Sequence, residues 1–234
     1  MADMAIVHRT TLTPTKLDLI SDWLPSRPWY QAKGKAPSPA TLTRLGGFRL
    51  DDPAGEVGIE LMVVGDTAGE TPQYYLAPLT YRGAPLPDAP DEALLGTAEH
   101  GVLGTRWIYD AAHDPVFVTQ LCALFLGETE AQAQRESNTP DPSVAHHYTG
   151  AAHTAAEFRT TRTESGPRTT DIVVEPGPLT FRINRVLTNE GIGEGPVGEP
   201  WSALGHLTAD WTLIDETPAR GKYVVILDGT PDQS

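Results

Sequence analysis

The segment Asp22–Lys35 gathers the residues of this chain best suited to holding something. Trp23, Trp29 and Tyr30 stand among Arg27, Lys33 and Lys35 within fourteen positions. Rings of this size either organise a core edge or stack on a ligand such as a sugar, and cations between them attract an anion or an acidic surface. These six residues form the candidate binding set. The other constellations read as structural. His146, His147 and His153 could suggest a metal, but zinc wants three or four convergent ligands and this stretch is Ala-rich. They read as solvated histidines, and no metal is expected. Glu99–His100 and His113–Asp114 pair an acid with a base in sequence. Asp114, however, precedes Pro115 and belongs at a helix N-cap, with His113 in the turn before it. No carboxylate pair can be placed across a cleft, as glycoside hydrolysis requires. Gly191–Gly195 lacks the strand-to-helix setting of a phosphate loop and reads as a hairpin or loop. Cys122 is the only cysteine and lies in the apolar run Phe117–Leu126 with no cation beside it. It reads as a buried structural thiol in a reduced, cytoplasmic protein rather than a nucleophile.

Composition narrows the function classes. The 234 residues carry a net charge of −14, which disfavours binding to a nucleic-acid backbone. The charge is uneven: the first fifty residues hold seven bases against three acids, and the acids dominate everything after. A locally basic start on an acidic body suits an acidic partner surface. No apolar run reaches the ~20 residues of a membrane helix, and the first eight residues do not read as a secretory leader.

These residues must be positioned by a recognisable set of elements. Ile6–Thr11 reads as a short strand, and Thr13 as the N-cap of a helix that has Pro14 at its first position and ends at Pro25. Strand-like runs follow at 45–50, 57–64 and 74–81, separated by the turn segments 51–55 and 66–70. A proline-rich bend, a helical turn at 91–95 and a strand at 102–109 lead to a second helix from Pro115 to about Leu126, capped by Asp114. The polar stretch Gly127–Pro142 reads as a linker. Thr-rich strands at 157–164, 170–175, 179–187, 206–214 and 223–227 suggest an antiparallel sheet or small barrel, with no internal repeat. The expectation is an α+β domain at 1–130, with an antiparallel sheet flanked by helices, a linker at 131–142 and a β-rich domain at 143–234.

Three separated segments carry a family resemblance: Trp23-Leu24-Pro25 through Lys35, Ala77–Leu86 with its Pro-Leu-Thr-Tyr-Arg step, and Trp107–Pro115 with Tyr109-Asp110-Ala111 and Asp114-Pro115. In order and spacing they resemble the N-terminal cap of bacterial maltokinases, over roughly residues 6–130. Some small actinobacterial proteins with this cap are labelled glucan-branching proteins, yet nothing here resembles the barrel machinery of a branching enzyme. Further on, Glu136-Ser137-Asn138-Thr139 is similar to the maltokinase loop near nucleotide phosphates, with Pro140 where that family continues in Ser. Proline removes an N–H that a phosphate cradle would use. Leu179–Arg185 sits where the nucleotide-holding strand would lie, with Arg182 at its Lys. Ser137, Asn138, Thr139 and Arg182 are thus the nucleotide set that the resemblance implies. No His-Gly-Asp or His-Arg-Asp catalytic loop occurs, and 234 residues leave no room for a helical catalytic lobe. The resemblance therefore implies a non-catalytic, cap-like protein, a recognition or regulatory partner in maltose–trehalose–glycogen metabolism, with no cofactor and neither nucleic acid nor membrane as partner. Two alternatives accompany it: an α-glucan binding module, and a degenerate kinase lobe that still holds nucleotide.

Overall fold

The computed structural model describes residues 12–31, 36–134, 136, 138–151, 153–177, 179–189 and 203–229. The expected strand at Ile6–Thr11, Lys33, Lys35, Ser137 and the Gly191–Gly195 loop lie outside them. In chain order the elements are β1 (Leu12–Thr13), α1 (Lys16–Trp23), β2 (Leu42–Asp51), β3 (Val57–Asp66), β4 (Gln73–Arg82), β5 (Leu94–His100), β6 (Gly104–Asp110), α2 (Pro115–Phe125), β7 (Gln132–Ala133), β8 (Ala145–Tyr148), β9 (Arg159–Ser165), β10 (Thr169–Glu175), β11 (Leu179–Asn184), β12 (Ala203–Thr212) and β13 (Pro218–Asp228).

Among the described residues, all thirteen strands belong to one antiparallel sheet, ordered β1-β5-β6-β4-β3-β2-β12-β13-β11-β10-β9, with β7 added beside β2 and β8 beside β12. This corrects the α+β expectation. The architecture is mainly β, and two helices of eight and eleven residues are too short to form flanking layers over strands ten residues long. The later strands do not build a separate sheet. They continue the first one through β2 and β12, which pair at Gly46–Trp211. The sheet also turns back on itself, because the segment after β11 bridges β4 at Tyr75–Val186 and the Leu76 amide donates to the Arg185 carbonyl at 2.9 Å.

Side-chain alternation divides β3 between two cores. Val57, Ile59, Leu61 and Val63 face the main core with Phe117, Leu121 and Phe125 of α2 and with Phe181, Trp211 and Tyr223 of the later strands. Met62 and Val64 face a second core formed by Leu19, Ile20 and Trp23 of α1 with Trp29, Tyr75 and Ile108. Gly47 is required where β2 presses on β3. Its φ is +115°, and a Cβ there would lie 1.9 Å from the Leu61 carbonyl oxygen.

The helix ends are set by side chains. Asp114 caps α2 as expected, accepting from the Val116 amide at 2.9 Å, with Pro115 in the first turn. For α1 the expected cap moves two residues. Thr15, not Thr13, closes a capping box with Asp18, while Thr13 pairs with Glu99 in β1. The helix ends at Trp23, and Pro25 sits in a single 3-10 turn after it.

Candidate functional site

The aromatic candidates come together inside the protein. Trp23 and Trp29 meet edge to face at 5.4 Å, and Tyr75 lies 5.8 Å from Trp29 and 5.5 Å from Tyr30. Trp29 has no exposed surface and Trp23 only 5%. Arg27 lies over the Trp23 ring and donates to the Glu92 carbonyl at 3.0 Å. Tyr30 donates its hydroxyl to Asp66 at 2.9 Å, and burial followed by that carboxylate raises its pKa.

Behind Trp29 stands a buried cation. Arg185 stacks over the Trp29 ring, donates through Nη2 to both Asp110 oxygens at 2.7 and 2.6 Å, and donates through Nε to Thr170 at 2.8 Å. Arg185 is fully buried and Asp110 nearly so. Beside it, Arg82 forks onto both oxygens of the fully buried Asp114 at 2.6 Å each. Burial pushes the His113 imidazole pKa down. The three segments singled out by resemblance therefore interlock: Trp29 of the first reaches Asp110 of the third through Arg185, and Arg82 of the second holds Asp114 of the third.

Residues 23–114 match the family described as the maltokinase N-terminal cap domain. Over that stretch the chain is similar to the cap domain. No curated protein matches the chain. The Asp110 and Asp114 carboxylates of the cap, prominent in sequence, are committed to Arg185 and Arg82.

The open polar site of the cap is a cleft of about 330 Å³ beside the start of α1. Its hub is Glu60 on β3, which accepts from Lys16, from the Tyr81 hydroxyl at 2.9 Å and from the Gln134 amide at 3.1 Å. Burial pushes the Glu60 carboxyl up. Lys16 first, then Arg44 and Tyr81, outweigh it and hold the group below its usual value. The Tyr81 phenol moves the opposite way, raised by burial and by Glu60. Asp51 and Arg106 stand on opposite walls. Asp51 Oδ1 and Arg106 Nε are buried without a hydrogen-bond partner among the described residues. Burial raises the Asp51 carboxyl against the pull of Arg49.

The nucleotide candidates are dispersed. Asn138 and Thr139 lie just beyond β7, next to β2, whereas Arg182 lies on β11 with β12 and β13 between. Arg182 is engaged bidentately by Asp171 at 2.8 and 2.7 Å. His146 and His147 lie on β8, and His153 faces Glu157 at 3.7 Å. Among the described residues no three His, Cys, Asp or Glu side chains gather as a metal set. Cys122 is buried in the main core, and burial pushes its thiol up to about 12. No helix among the described residues is long and apolar enough to cross a membrane.

Sequence reading missed Lys16, Glu60, Arg106, Gln134 and Arg185. Glu60 left a trace, as the one charged residue inside the apolar run Val57–Val64. A carboxylate there must be paired or neutralised. Arg185 left a similar one at the end of the Leu179–Leu187 strand.

Proposed function

We propose that this protein is a non-catalytic recognition partner related to maltokinases, acting by docking onto an enzyme of maltose, trehalose or glycogen metabolism. One observation carries the reading. Among the described residues, the motif residues Trp29, Arg82, Asp110 and Asp114 are engaged in internal contacts, while the β5–β6 hairpin presents apolar side chains outward. Val102 is 64% exposed and Leu103 46%, at a turn fixed by His100 Nδ1, which accepts both their amides. Exposed apolar residues on an ordered turn favour a protein contact. The first fifty residues hold seven bases against three acids on an otherwise acidic protein, which favours an acidic partner face.

The test is affinity capture with the full chain and its Val102→Asp variant, with captured proteins identified by mass spectrometry. The reading expects a carbohydrate-metabolising enzyme that is captured by the wild type, released by salt and lost with Val102→Asp. Capture unchanged by the variant, or no such enzyme captured at all, overturns it.

A further inference from the structure

The two ends of the sheet are unequal. Strand β1 at one end is two residues long, whereas β9 at the other runs seven residues from Arg159 to Ser165 and is mostly exposed. An unpaired edge strand is a ready template for another strand. The pairing of β9 with β10 fixes which of its backbone groups are free. Across the connecting turn the Gly166 amide donates to the Thr169 carbonyl at 2.8 Å. In an antiparallel ladder such hydrogen-bonded pairs alternate with pairs that exchange no hydrogen bond. Arg162 opposite Val173 and Glu164 opposite Asp171 therefore spend their backbone groups on β10. Thr163 and Ser165 direct theirs to the outer edge, where no strand lies among the described residues. The strand is also held from its inner face, since the Thr163 hydroxyl donates to the Ala112 carbonyl at 3.2 Å.

Charges on an edge strand usually keep edges apart. The order of charges on β9 makes one arrangement an exception. Arg162 and Glu164 share a face on either side of Thr163, 3.3 Å apart. Let a second β9 approach antiparallel about a two-fold axis at Thr163. The two Thr163 residues then exchange backbone hydrogen bonds. Arg162 of each copy faces Glu164 of the other in the pairs without hydrogen bonds, where side chains come closest. Four charges close a ring of alternating sign. Moving the axis one residue either way sets Arg162 against Arg162 or Glu164 against Glu164, which is unfavourable. The strand is complementary to itself in a single register.

The surroundings agree. The same axis lays the turn after β9 of the second copy beside the start of β9, where Glu157, Arg159 and Glu175 line an open groove. That turn carries an exposed Arg168, which complements the two glutamates. The whole chain carries −14, which opposes self-association, but β9 itself holds two arginines and one glutamate. We infer that β9 pairs antiparallel with β9 of a second copy of this chain, joining two sheets about a two-fold axis at Thr163. Five paired residues and a turn bury less than a standard interface of about 1,600 Å², so the dimer is a weak, reversible one. The contact does not depend on the hairpin docking reading.

The test is analytical ultracentrifugation of the full chain from about 1 μM to about 1 mM. The expected result is a monomer–dimer equilibrium within that range. Arg162→Glu and Glu164→Arg, each of which sets like charges face to face twice, weaken the dimer by about tenfold or more. Combining the two restores it, because the ring of alternating sign is rebuilt with its members exchanged. Thr163→Pro removes an edge N–H that β10 does not use, and abolishes the dimer with little change in the unfolding midpoint. The charge-swap series serves should the proline variant fold poorly. The inference is overturned if the chain stays monomeric at every concentration, if the single charge variants associate as the wild type does, or if the double variant is no stronger than the singles. Val102→Asp leaves the dimer intact; a dimer lost with that variant instead places the self-contact on the β5–β6 hairpin and overturns this inference.

Discussion

Glu60 shows how a single side chain organises the polar face of the cap. Its carboxylate is buried, so removing its charge also removes the anchor of Lys16 and Tyr81. Its pKa in the folded protein lies below the ordinary value, because Lys16 and Arg44 prefer it ionised more strongly than burial opposes it. Such a group adds stability in full above the carboxylate pKa of the unfolded chain, about 4.3, and loses it as pH falls through the lowered folded value. Glu60→Gln should therefore lower the urea midpoint most at neutral pH, and the gap to wild type should close on acidification below about pH 4.3. A gap that stays constant from neutral to acid pH would count against ionic pairing. In sequence, Glu60 showed only as a charge out of place in a strand. Its partners come from α1, β4 and the segment after β7, and no local pattern links residues 16, 60, 81 and 134. The aromatic candidates were visible from the start, but the same composition serves a core and a ligand platform alike. Only burial distinguishes them, and Trp29 is fully buried.

The elements differ in how much the molecule asks of them. The α1 cap is local and exposed, with Thr15 and Asp18 satisfying each other. The α2 cap does two jobs, since Asp114 holds the helix N-terminus and neutralises Arg82. Thr15→Ala should cost about 1 kcal/mol, the usual value of a lost cap. Asp114→Ala should cost about 3 kcal/mol or more, because it also leaves a mostly buried guanidinium unpaired. Urea unfolding of both variants checks this, and equal losses would mean that the ion pair adds nothing to the cap. The second helix and the long strands were legible because their caps, turns and apolar periods lie within one segment. Asp52 shows this in the first hairpin, accepting the Ala54, Glu56 and Val57 amides at the turn. The strands missed in sequence, β1, β5, β7 and β8, lack such a signal. Within β5 only Ala98 is buried, and β8 presents His146 and His147 largely outward, so neither shows an apolar alternation.

The whole molecule depends on contacts distant in sequence, and there the sequence was least informative. Strand pairing between β2 and β12 joins residues more than 160 positions apart, and the main core draws Phe48 and Phe117 together with Phe181 and Tyr223. Arg185 adds a second tie, reaching from the end of β11 to Asp110 and Trp29 of the cap. Division of the chain at 131–142 into two domains is a proposal that unfolding can decide. With a main core drawn from both halves and two backbone junctions, urea should unfold the chain in a single transition in which tryptophan fluorescence and far-ultraviolet dichroism coincide. Arg185→Met should lower stability by about 3–5 kcal/mol, since Asp110 is left as a buried charge without its partner. Adding Asp110→Asn should recover part of that loss by removing the stranded charge. If the cap and the later strands were independent domains, the two probes would separate, and Arg185→Met would leave the transition of one half unmoved. A buried pair that links both halves predicts the opposite, a shift of the whole transition with no change in its single step.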